Sequence, residues 1–84
     1  MHATQQQVQM AAKLYEMRDA AKSLLGDRYA NEMAEYGKII RILAKRRGIS
    51  ELAAATAMSK DASLSALGVL KVMAAVVEMT EPSA

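Results

Sequence analysis

Cysteine, tryptophan and phenylalanine are absent from this chain, and histidine and proline occur once each, at His2 and Pro82. Each absence closes a route. Without a thiol there is no disulfide, no thiolate metal site and no cysteine nucleophile. A single imidazole at the second position cannot assemble a zinc or iron site, which needs several soft or imidazole ligands. The interior serines have no histidine partner, so a Ser-His-acid triad is unsupported. Gly26, Gly37, Gly48 and Gly68 are scattered rather than gathered into a phosphate-cradling loop. The sequence therefore predicts no metal, no cofactor and no enzyme.

Long apolar runs are missing as well. A membrane span needs about 20 apolar residues, and the nearest candidate, Ala62 to Met79, is interrupted by Ser63, Ser65, Lys71 and Glu78. The opening residues, Met1 to Gln7, are polar and uncharged, unlike a signal peptide. These features predict a cytoplasmic protein with no membrane partner. Eighty-four residues make one domain, 1–84, with 79–84 as a frayed tail. A chain this short buries only about 60% of its unfolded surface. With disulfides and metals excluded, self-association is the remaining source of stability.

What is present is helical periodicity. Thr4 and Gln7 match a capping box, and the spacing predicts a first helix over 4–25. Its apolar stripe is Met10, Leu14, Met17, Ala21 and Leu24. Gly26 suits the helix end, and Asp27 is placed to cap the next helix. That second helix is predicted over 28–47, with Tyr29, Met33, Tyr36, Ile40 and Leu43 in steps of four and three. Ile39 and Ile42 are also expected in the core. A stripe of small residues, Ala30, Ala34, Gly37 and Ala44, invites close approach of another helix. Gly48 ends the second helix and Ser50 caps a third stretch, predicted over 50–79 and broken near Ser59 to Asp61, where Ser59 or Asp61 is a candidate cap.

The fold class that follows is all-α: three to four antiparallel helices with a core completed by oligomerisation. The last helix, read over Ala62 to Met79, is apolar nearly all round, and two other helices do not suffice to cover it. One of its stripes, Val69, Val72, Val76 and Met79, or the neighbouring Ala66, Leu70, Met73 and Val77, is expected to form an interface in at least a homodimer.

Charge is unevenly placed. The net charge of +2 divides into −1 over residues 1–37, +5 over 38–47 and −2 over 50–84. Lys38, Arg41 and Lys45 form one ridge, with Arg46 and Arg47 at its end. Five cations without an acid among them can meet phosphates or an acidic protein surface. Glu32 and Glu35 are spaced i, i+3, but an acidic first half simply complements the helix dipole.

The stretch Glu51-Leu52-Ala53-Ala54-Ala55-Thr56-Ala57-Met58-Ser59-Lys60 resembles the first helix and turn of a helix-turn-helix, with Ala53 and Ala57 at its small positions. That resemblance implies a DNA-binding transcriptional regulator, whose next helix enters the major groove. The following segment departs from the pattern: Asp61 repels phosphate, and the fixed apolar position falls one residue late, at Leu64. The leading expectation is instead a small oligomeric binding protein, of the kind a phage or mobile element uses as a regulator or inhibitor. It would occupy a partner protein or sequester an anionic ligand. A nucleotide-binding sponge is a further alternative.

Overall fold

The computed structural model describes residues 4–80. Four α-helices follow one another: α1 (Gln5–Leu25), α2 (Tyr29–Arg47), α3 (Glu51–Ser59) and α4 (Ala66–Thr80), with a 3-10 turn over Gly26–Arg28. The all-α expectation holds. His2 and the tail residues beyond 80 lie outside the described residues.

Local chemistry sets most of the boundaries. Thr4 is extended, its hydroxyl accepts the Gln7 amide, and the Gln7 side chain accepts the Thr4 amide, so two otherwise unsatisfied donors are met reciprocally. Gly48 closes α2 at φ 65° and ψ 36°. Its N–H donates to Lys45 O and the Ile49 N–H to Ala44 O, the paired bonds of a Schellman ending, which places glycine where a Cβ is strained. The Ser50 hydroxyl accepts the Ala53 amide and starts α3.

Two caps differ from expectation. Asp27 does not cap α2; Arg28 holds the cap position in a helical backbone with no side-chain bond. The 3-10 turn carries the chain from one helix to the next without the extended residue that a carboxylate cap requires. The break after α3 is present, but neither Ser59 nor Asp61 caps α4. Asp61 accepts the Ser63 amide and hydroxyl at 2.9 and 2.7 Å, folding the turn on itself. The Ser65 hydroxyl then accepts the Gly68 amide, so α4 begins four residues later than the sequence suggests and runs through Thr80.

The core is built around α4, which packs against each of the other three helices. Ala21 and Leu25 come from α1, Met33, Ile40 and Ala44 from α2, and Ala54 and Ala55 from α3. Val72, Met73, Ala74, Ala75, Val76 and Val77 are consecutive and all buried. This corrects the expectation of an uncovered stripe: α3 is short, but it packs on α4 and buries Ala54 and Ala55 there, supplying the missing wall. Ile40 and Val72 are the largest side chains in complete burial. A stable core of this kind draws about 1.5–3 kcal/mol from each large aliphatic side chain removed from water.

The small-residue stripe on α2 is used only in part. Gly37 and Ala44 are buried, while Ala30 and Ala34 face solvent. The Met79 Sδ lies 3.5 Å from where a Cβ on Gly37 would stand, an ordinary van der Waals distance, so a methyl group there would meet the thioether without a clash.

Candidate functional site

With Met33, Gly37, Ile40 and Ala44 turned inward, the helical repeat places Ile39, Ile42 and Arg46 on the opposite face of α2. Ile39 is 49% exposed and Ile42 54%, which corrects their assignment to the core. Leu43, half-buried, lies on the side toward α3 and meets Met58 there. Ile39, Ile42, Leu43, Arg46 and Met58 line an open groove of about 290 Å³ between α2 and α3. A second hollow of about 180 Å³ adjoins it, where Arg47 and Asp61 stand beside Ala57, Leu43 and Met58.

Arg46 lines this groove and Arg47 the hollow beside it; Lys38 and Lys45 neighbour Ile42 at i−4 and i+3 on its open side, and Arg41 lies further round α2. Lys38, Arg41, Lys45, Arg46 and Arg47 are all exposed, and the described residues give none of them an ion-pair partner. Their position is partly a helix-dipole matter, since Lys45, Arg46 and Arg47 occupy the last turn of α2. Lys38 and Arg41 lie further back, where the dipole gives little. The surface is therefore apolar at its floor and cationic at its sides.

Elsewhere several charged groups are already engaged. Lys71 Nζ lies 3.4 Å from Glu32 Oε1 and above the Tyr36 ring at 5.7 Å. Glu32 is thus turned to α4, away from any joint work with the exposed Glu35. The Tyr29 hydroxyl donates to Glu78 at 2.8 Å, and the Arg18 guanidinium covers the Tyr15 ring at 5.0 Å. Burial first, then the Glu78 hydrogen bond and charge, push the Tyr29 phenol above the ordinary tyrosine range. Among the described residues no three His, Asp or Glu side chains converge closely enough to hold a metal ion. No helix among them is long and apolar enough to cross a membrane.

The residues expected at a subunit interface sit differently. Val72, Met73, Val76 and Val77 are buried by the chain's own helices. Val69, Leu70 and Met79 are half-buried against the same core, and only Ala66 is exposed. The large apolar side chains that do reach solvent are on the outer faces of α1 and α2, the link after α2 and the start of α3: Val8, Met10, Tyr15, Leu24, Ile39, Ile42, Ile49 and Leu52. On α1 this corrects Met10 and Leu24, expected on the buried stripe; Leu25 takes the core position instead. The helix after the turn, α4, is the core helix, and its one cation, Lys71, faces Glu32.

Comparison with protein-family models, curated proteins and solved structures finds no match to this chain.

Proposed function

We propose that this chain is a non-enzymatic binding protein, a small helical regulator or inhibitor that acts by occupying an anionic partner. The observation that carries the reading is the exposed surface of the C-terminal half of α2, where half-exposed Ile39 and Ile42 have Lys38, Lys45 and Arg46 as neighbours and none of the helix's five cations has an ion-pair partner among the described residues. A face that only needs to be soluble has no use for two large aliphatic side chains, and an apolar face that only needs cover has no use for five cations. Together they suit a partner that is both acidic and apolar.

A cytoplasmic site of action and self-association belong to the same proposal. Self-association moves from α4 to α1, whose first half, Gln5 to Ala12, bears no charge and exposes Val8 and Met10. An uncharged patch meets its own copy across a twofold axis without repulsion.

Native mass spectrometry of the protein from the cells that make it tests the reading. An added mass from an acidic partner, released as salt is raised, is the expected result. Recovery of the chain without any bound partner contradicts it.

A further inference from the structure

We infer that the occupant of the α2–α3 groove is an amphipathic helix of an acidic partner protein, an inference that rests on the binding role proposed above. The floor runs along α2 from Ile39 through Ile42 and Leu43 to Arg46. Seven residues of helix cover two turns, about 10 Å, which is the span between anchors at i, i+4 and i+7 of a docked helix. The opening is a wide groove floored by α2 and walled on one side by Met58 of α3, so anchors enter it between Ile39 and Met58. Acidic residues beside those anchors then meet Arg46 at the groove itself and Lys38 and Lys45, the helical neighbours of Ile42, on its solvent side. At its far end Asp61 repels acid, so the partner's carboxylates lie over residues 38–46.

Charge complementarity decides against the other occupants. A phosphate backbone answers the cations but leaves the apolar floor empty. No aromatic side chain lines the cleft to stack a base, and Tyr29 and Tyr36 are held against Glu78 and Lys71. A second copy of this chain offers no strongly acidic helix: α1 carries three cations against two acids, α2 five against two, α4 one of each, and α3 a single acid.

The test is a selection from displayed random peptides of about 16 residues, four to five turns of helix, against the full chain. Polyglutamate, duplex DNA and phosphatidylglycerol vesicles are titrated beside it. Enriched peptides are expected to be acidic, with apolar residues at i, i+3 or i+4 and i+7. They should bind at least about tenfold more tightly than polyglutamate, and Ile42→Ser or Ile39→Ser should remove about that factor. Both positions are exposed, and an unchanged melting curve verifies that each variant folds. Peptides without a helical repeat, or indifferent to both serine variants, overturn the helix and leave the anionic surface standing. DNA or vesicles outcompeting every peptide do the same. Failure of every anionic probe overturns the binding role as well.

Discussion

The Tyr29 hydroxyl donates to Glu78 Oε1 at 2.8 Å, tying the first residue of α2 to the last turns of α4 across 49 positions of sequence. Lys22 closes over the same ring at 5.7 Å, so three helices meet there. The fold favours the neutral phenol, through burial first and then through the Glu78 bond and charge. A raised pKa in an acid of this kind contributes stability fully present below the ordinary value near 10 and lost as pH climbs past it. Melting temperature should therefore fall on passing above about pH 10. Tyr29→Phe should cost about 1 kcal/mol at neutral pH, the worth of one partly exposed hydrogen bond, and should flatten that alkaline fall. An equally steep fall in the phenylalanine variant would place its origin in other groups.

Lys71 and Glu32 form the other polar tie to α4, at 3.4 Å, with 17% and 23% of their side chains exposed. Taking away one partner strands the other in a half-buried place. Lys71→Met is expected to cost about 1–3 kcal/mol, less than the 3–5 seen for fully buried pairs. Adding Glu32→Gln should recover part of that cost, because no uncompensated charge then remains. Denaturant unfolding of the wild type, both single variants and the double variant measures the coupling, and strict additivity would show that the pair does not interact.

Val72 separates packing from assembly. It is wholly buried within one chain, so Val72→Glu should unfold the protein, since a buried charge without a partner exceeds what a domain of this size can bear. Met10→Glu, on the exposed part of α1, should leave helix content intact and convert any dimer to monomer. Circular dichroism with sedimentation distinguishes the outcomes. A folded, monomeric Val72→Glu variant would return the interface to α4.

These contrasts mark what could be read from the chain and what could not. The Thr4–Gln7 box, the Ser50 cap and the Gly48 ending were legible because each is complete within a few residues. Asp27 misled because a 3-10 turn competes with a capped start over the same residues. Ser65 was hidden behind Ser59 and Asp61, two plausible caps that the turn uses otherwise. The covering of α4 was not legible, because it depends on how closely the alanines of α3 let two backbones approach. The cations of the site were evident from charge alone. Its apolar half was missed because Ile39 and Ile42 were counted as core by residue type. The signal is in their phase: they lie opposite Met33, Gly37, Ile40 and Ala44, with Arg46 between them and Lys38 and Lys45 beside Ile42.

Asp61 gives an acid-sensitive hinge. The Ser63 amide and then the Ser63 hydroxyl hold its carboxyl below the usual range, although it is fully exposed. A depressed pKa contributes order above the ordinary carboxylate value and loses it as pH falls through the lowered one. Protection of the Ser63 amide against hydrogen exchange should weaken on that descent, beyond the ordinary pH dependence of the chemical exchange rate. Asp61→Ala should show the weakened protection already at neutral pH and no further acid effect. Equal protection in both proteins would mean that the turn does not depend on this carboxylate.

Whether the exposed surface of α2 is a working surface is reached directly by one paired measurement. Arg41→Glu combined with Lys45→Glu reverses two exposed charges that have no ion-pair partner among the described residues. The pair should change stability by about 0.5 kcal/mol or somewhat more, given their nearness to a helix end. Titration of the double variant with the acidic partner or selected peptide, beside a melting curve, should show binding lost and the fold kept. Binding at wild-type strength in a folded double variant would contradict the account and leave the ridge a solvated face.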